Sequence, residues 1–419
     1  MSQPPPIRLG VVGCARILPA HLRGIQALRQ AGFDAVRVTA LCARRLEDAA
    51  MFQRRGEGPP PRPPASDNPK DPLGAPHLYV SDVHPGPVPE LFDDWRRMLD
   101  ADLVDAVLVL APVALHHQVA LDALRAGKHV LIEKPFAISV RAGKAIVDEA
   151  RRRGLIVGVA ENQHYAEPVR ALGWAVRQGL IGTPQLWLSG GVGGEWAPDR
   201  VVAHTPWRHH KLEAGGGGAI DVGVHFMHMV RYVMGPIDEV SAYVRTMEPA
   251  RVERDATGSE ISRVHNEVDD VFLAHLRFAS GAIGSTFSSW AGRGEPGGVD
   301  GGPLIYGTGG CVKAGSIVRD DGFRGSVMDV FARQASPDTL ESFFPAGVRD
   351  AFGLELYDFT RAIAGAGPME AGGDEGLLDL ALAYGVLESA VARRPVRVDE
   401  VLNGAVDRYQ AEIDAFYRI

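Results

Sequence analysis

Residues 7–30 read IRLGVVGCARILPAHLRGIQALRQ. Residues 7–13 are a short apolar run that ends at glycine, and 19–29 place Leu22, Ile25 and Leu28 at helical spacing, so the segment predicts a strand, a tight turn and a helix. The unit then repeats. Residues 36–42, 105–110, 130–133 and 156–160 read as further strands, and 46–55, 114–126 and 139–153 as the helices between them. Alternating strands and helices imply a parallel sheet covered on both faces, so residues 1–160 are expected to form one doubly wound α/β domain.

One stretch breaks the rhythm. Between about residues 56 and 89 the chain carries Pro59, Pro60, Pro61, Pro63, Pro64, Pro69, Pro72, Pro76, Pro85, Pro87 and Pro89. That density excludes a helix or a central strand, because each proline removes a backbone donor. It reads as a surface insertion, ordered at most around residues 77–80, and as a passive loop in preference to a lid. After Ile181 strands are joined by glycine turns: 185–192, 239–246, 268–278 and 282–290, the last two linked through Ala279-Ser280-Gly281 as a hairpin. Helices are expected at 222–234 and 352–364, and an alanine- and leucine-rich closing helix at 377–392. Residues 161–419 therefore predict an α+β domain with a large, mostly antiparallel open sheet, its closing helix packing back on the first domain.

Composition narrows the function. A chain of 419 residues with 46% hydrophobic and 23% charged residues can bury a sizeable core in two or three domains. Lys and Arg total 44 against 52 Asp and Glu, a formal charge of −8. With no basic block, nucleic acid is excluded as an expected partner. Cys14, Cys42 and Cys311 are too few and too scattered for a disulfide framework or a thiolate metal site, which points to a reducing cytoplasm. No signal-peptide pattern opens the chain and no apolar run reaches the roughly 18 residues of a membrane span, so no membrane association is expected.

The first strand ends in Gly13-Cys14-Ala15-Arg16-Ile17, where a dinucleotide fingerprint would place three small residues and only the first glycine is present. Gly13 permits the tight turn, Ala15 is small enough for a pyrophosphate to approach, Arg16 can add a phosphate contact, and the helix start at Ile17 offers free N–H groups.

Downstream, VDAVLVLAPVALHHQVALDALRAGKHVLIEKPFA, residues 104–137, resembles the Gfo/Idh/MocA oxidoreductases, named for glucose-fructose oxidoreductase and inositol dehydrogenase. The matching positions are Ala111-Pro112 with His116, then Glu133-Lys134-Pro135. The resemblance continues through Glu161-Asn162, Tyr165, Trp207-Arg208 and the run Gly215 to Gly218 before AIDVGVHFMHMVRYVMG, and on to LLDLALAYGVLESAVARRPVRV. Only the insertion and roughly 320–347 fall outside it. It implies an N-terminal Rossmann domain for NAD(P), a C-terminal substrate and oligomerisation domain, and a homodimer or homotetramer. For the cofactor it implies Ala111, Pro112, His116, Glu133 and Lys134 beside Gly13, Ala15, Arg16 and Ile17.

On composition alone Lys134 is a solvated surface lysine. The resemblance places it beside the nicotinamide and the reacting hydroxyl, where it can stabilise negative charge on oxygen. Asp221 and His225, spaced i, i+4, share one helix face after the glycine run. From residues alone they read as a helix-start aspartate and a core histidine. The family's D-x-x-x-H pair makes His225 the general base and Asp221 its orienting group. His228 stands where many members have aspartate. A metal held by Asp221, His225 and His228 lacks a further ligand with recognisable spacing, so none is expected. His209-His210 is read as a substrate-side loop, and His164, Tyr165, Trp207 and Arg208 as substrate neighbours. After the second strand comes Cys42-Ala43-Arg44-Arg45, with no carboxylate for ribose hydroxyls. Arg44 resembles the arginine that NADP-using relatives set against the 2′-phosphate, so NADP is favoured over NAD. The implied activity is hydride transfer between NAD(P) and a hydroxyl or keto group of a sugar, cyclitol or related polyol. Two alternatives stay open: a redox-neutral enzyme that retains NAD(P) for elimination, epimerisation or glycoside cleavage, and a non-catalytic nucleotide-binding regulator.

Overall fold

The opening strand, β1 (Ile7–Val12), runs into the turn at Gly13 and then α1 (Leu18–Gln30), whose inward face carries Leu18, His21, Leu22, Ile25 and Leu28. The structure is a computed structural model describing residues 6–68 and 70–419; residues 1–5 and Pro69 of the insertion lie outside the described residues. There follow β2 (Val36–Cys42), α2 (Leu46–Gln53), α3 (Val80–Val83), β3 (Glu90–Phe92), α4 (Trp95–Asp100), β4 (Ala106–Val109), α5 (Val113–Arg125), β5 (His129–Glu133), α6 (Val140–Arg153), β6 (Val157–Ala160) and α7 (Asn162–Tyr165). The strands form one parallel sheet of order β3-β2-β1-β4-β5-β6. Chain progression reverses between β1 and β4, where such sheets open a crevice at their carboxyl ends.

Two features depart from the sequence reading. Glu90–Phe92, just past Pro89, adds a short strand to the edge of β2, a position that tolerates proline beside it. The insertion is ordered around residues 77–80 as expected, and also on either side of them. Asp71 accepts from the Leu73 N–H at 2.9 Å to start a short turn. Tyr79, Val80 and Val83 are buried, His77 stacks on Phe52 with ring centres 4.6 Å apart, and Arg55 reaches Asp82 at 2.8 Å.

The described chain forms two units. The first comprises residues up to Ile138, Ala142–Tyr165 and the later segment Phe344–Leu377. That segment supplies the helix Ala351–Ile363, whose Gly353 meets Gly24 of α1 so closely that a Cβ on Gly24 would sit 2.6 Å from the Gly353 nitrogen. Phe352 packs there with Ala20, Ala75 and Ile17.

The second unit comprises Ser139–Arg141, Ala166–Phe343 and Leu378–Ile419. Its elements include α8 (Glu167–Arg177), β7 (Pro184–Val192), α9 (Lys211–Ala214), α10 (Gly218–Asp221), α11 (Gly223–Met234), β8 (Ile237–Arg245), β9 (Ala250–Arg254), β10 (Glu260–His265), β11 (Val271–Phe278) and β12 (Ile283–Ser289). β9 and β10 pair as a separate hairpin. The large sheet runs from strands 324–326, 316–319, 310–313 and 304–307 through β7, β12, β11 and β8 to Val396–Arg397. It is antiparallel except between β7 and β12. β11 shows why one face is a core: Phe272, Ala274, Leu276 and Phe278 point inward while Leu273, His275 and Arg277 are exposed.

Candidate active site

Gly13 adopts φ +107°, and a Cβ there would lie 2.4 Å from the carbonyl carbon of Leu110 and 2.5 Å from the nitrogen of Ala111. Only glycine lets the β1 turn press against the segment leaving β4. The turn closes through Ala15 N–H to the Gly13 carbonyl at 3.2 Å and Leu18 N–H to the Ala15 carbonyl at 3.2 Å. Ile17 caps α1 without any side-chain hydrogen bond, but the free N–H groups expected there are spent: Leu18 donates to Ala15, Pro19 has none, and Ala20 donates to the Ile17 carbonyl at 3.0 Å, which leaves an anion the positive end of a 13-residue helix dipole. This lies at the carboxyl end of β1, beside the reversal of strand order. The tight Gly13 turn, with the small Ala15 after it and a helix start behind it, has the geometry a dinucleotide turn requires. Past β2, Ala43 is buried and Arg44 exposed, while Arg45 pairs with Asp48 at 2.9 Å.

Lys134 follows β5, one strand beyond β4, and is held by a buried chain of charges. Its backbone N–H donates to Oε2 of Glu133 at 2.9 Å. The other oxygen, Oε1, lies 3.1 Å from Nε2 of His21, and Nδ1 of His21 lies 3.2 Å from Oε1 of Glu355. Burial alone would strip the His21 proton, but the hydrogen bond to Glu133 and the adjacent Glu355 carboxylate hold it, with a pKa raised to about 9. Burial pushes the Glu355 carboxyl up to about 7 against the pull of His21. Glu133, expected at the cofactor, thus uses its carboxylate to brace Lys134.

His116 is a clip. Its Nδ1 lies 2.8 Å from the Pro135 carbonyl and its Nε2 2.8 Å from the Ala111 carbonyl, tying the loop after β5 to the loop after β4. Burial lowers its pKa against the pull of the two carbonyls. His164 and Tyr165 direct polar atoms into the returning segment, at 3.1 Å to Glu370 and 2.8 Å to Asp358.

In the second unit, Asp221 accepts from Nε of Arg208 at 3.1 Å, and the Arg208 guanidinium lies 4.4 Å from the centre of the Trp207 ring. Asp221, Arg208 and Trp207 form one cluster. Asp221 ends α10 and His225 lies in the first turn of α11, with Val222 joining the two short of one continuous helix; both side chains are partly exposed. The glycine run before them serves Asp269. A Cβ on Gly217 would fall 1.7 Å from the Asp269 carbonyl oxygen, and the Asp269 carboxylate accepts from Gly217 N–H at 2.8 Å and Ala219 N–H at 2.7 Å. His209 is buried, not on an open loop; its Nε2 accepts from Val202 N–H at 3.1 Å, and burial lowers its pKa to about 4. His228 is buried with Nδ1 2.7 Å from Asp379, which also pairs with Arg231 at 2.9 Å.

His21, Glu355 and Asp269 were missed from sequence. Charged residues inside apolar stripes, such as Glu355 between Phe352 and Phe359, were the available signal.

Comparison with known proteins agrees with the two-part architecture. Residues 7–161 match the oxidoreductase family with an NAD-binding Rossmann fold, and residues 169–313 match the GFO/IDH/MocA C-terminal domain. The levoglucosan dehydrogenase of Pseudarthrobacter phenanthrenivorans is 27% identical over 334 residues, covering 74% of this chain and 83% of that protein. The myo-inositol 2-dehydrogenase of Thermotoga maritima is 25% identical over 323 residues, covering 75% and 86%. The fold superposes on an NAD-binding oxidoreductase from Klebsiella pneumoniae with a TM-score of 0.71 at 22% identity, over 94% of this chain and 99% of that one. Among the described residues, no helix is long and apolar enough to cross a membrane.

Proposed function

Because the chain belongs to the Gfo/Idh/MocA oxidoreductase family, with an NAD(P)-binding Rossmann domain, we propose that it moves hydride between NAD(P) and a hydroxyl or keto group of a sugar, cyclitol or related polyol. One observation carries the reading: the first unit sets an uncapped helix start at the Gly13 turn and Lys134 at the carboxyl edge of the same sheet, one strand beyond the reversal. The nicotinamide, when bound, supplies the hydride acceptor or donor.

In this proposal Lys134 donates a hydrogen bond to the reacting oxygen and stabilises the negative charge that develops there. His225 takes the hydroxyl proton, and Asp221 orients the base or the substrate. Arg208 restrains Asp221, and Trp207 offers a flat apolar face of the kind sugars pack against. NADP is favoured over NAD because Ala43 stands where an acid would hold the ribose and Arg44 is exposed beside it. The open face of the large sheet, with Tyr243 opposite Leu273, supports a homodimer or homotetramer.

A panel of polyols and keto sugars, followed by reduced-nicotinamide absorbance with each nucleotide, tests the reading. Net formation or consumption of NAD(P)H with one substrate class is expected. Turnover of substrate without net change in the nucleotide would instead establish redox-neutral chemistry, and no turnover with any polyol would overturn the proposal.

A further inference from the structure

The proline-rich insertion folds back on the nucleotide turn. One pocket is walled by Arg16 and Pro19 at the start of α1, by Phe52 of α2, and by Arg62, Pro64 and His77 of the insertion. Arg62 donates from Nη2 to Oδ1 of Asp48, and the same oxygen accepts from Arg45 at 2.9 Å. One carboxylate thus lies between two guanidinium groups, and Arg16 lines the same pocket. The site is at the end of β2, where dinucleotide folds read the adenosine ribose. An NAD-type site would put a carboxylate there to accept from ribose hydroxyls. Here the sole acid touching Arg62 among the described residues, Asp48, is already engaged by two arginines.

Arg62 is also held in place. Pro60, Pro61, Pro63 and Pro64 flank it and fix their own φ, while the insertion is anchored by the His77–Phe52 stack and by Nε2 of His77 at 3.1 Å from the Met51 carbonyl. A guanidinium fixed before binding loses little freedom on meeting a phosphate, which is where its fork geometry binds best.

We propose that Arg62 is a specificity-determining residue that binds the 2′-phosphate of NADP(H), and that the insertion is a wall of the cofactor site. The inference rests on the NAD(P) reading above. It assigns cofactor choice to the proline-rich insertion.

The test is binding, not turnover. Fluorescence titration with NADPH and NADH, and calorimetry with 2′,5′-ADP and 5′-AMP, are run on wild type, Arg62→Ala and Arg62→Lys. Loss of one charge-assisted contact predicts that Arg62→Ala weakens NADPH and 2′,5′-ADP by about tenfold or more and leaves NADH and 5′-AMP within about twofold. Arg62→Lys should keep part of the preference, and it serves as the readout if the alanine variant misfolds. Equal weakening of both nucleotide pairs, or no weakening of either, overturns the proposal. Wild type that binds NADH but not NADPH overturns it while the dehydrogenase reading stands, and wild type that binds neither removes both.

Discussion

Replacing His21 with glutamine tests the buried charge chain under Lys134. Glutamine is neutral at every pH and keeps a donor, so the comparison isolates the imidazolium. The His21 pKa is raised from 6.5 to about 9 in the fold. At about 1.4 kcal/mol per pKa unit, the folded state favours the charged ring by about 3 kcal/mol. Because the folded value is the higher one, that stabilisation is present in full below pH 6.5 and fades as pH rises through about 9. His21→Gln should therefore lower the melting temperature of its unit by about 6–12 °C at pH 6, with the gap closing at pH 10. Scanning calorimetry of both proteins at the two pH values reads this directly. Replacing His21 together with its fully buried partner, His21→Leu with Glu355→Leu, should recover part of the loss, since a buried ion pair is often matched by apolar residues of similar volume, while Glu133 keeps the Lys134 N–H. A gap equal at both pH values, or under about 2 °C at pH 6, would refute the charged triad.

Lys134→Met and His225→Ala should each lower kcat by about 100-fold or more while nucleotide affinity, read by fluorescence titration, stays nearly unchanged. Near-normal turnover in both variants would remove them from the chemistry. Gly24→Ala gains helix propensity but drives a Cβ to 2.6 Å from the backbone of Gly353, so it should destabilise by about 1–3 kcal/mol in denaturant unfolding. A raised unfolding midpoint would show that the two helices separate freely.

The alternation of short apolar runs with helical spacing made the parallel sheet legible, because the period of burial is written locally. Glu90–Phe92 was not legible, since three residues beside a proline carry no period. The strands at 304–326 are likewise only three or four residues each and were left out of the predicted sheet. Residues Gly13, Lys134, Asp221 and His225 were visible as motif positions. Their supports were not: His21, Glu133 and Glu355 meet only in three dimensions, and the glycine run at 215–218 makes room for Asp269, fifty residues away in sequence. The insertion misled because proline density reports missing backbone donors and says nothing of side-chain packing. Ala65, Ala75 and Val83 are buried regardless.

The seam between Gly24 and Gly353 bears on how the protein is made. The first unit needs Phe344–Leu377, yet the ribosome delivers those residues only after the intervening chain beyond Tyr165. At about 5–20 residues per second, that interval lasts roughly 10–35 s. Throughout it the α1 surface around Ile17, Ala20 and His21 waits without Phe352 and Glu355. The nascent nucleotide-binding half is therefore a natural client for a chaperone, and a fragment ending before Phe344 should be recovered as aggregate unless the missing helix is supplied in trans.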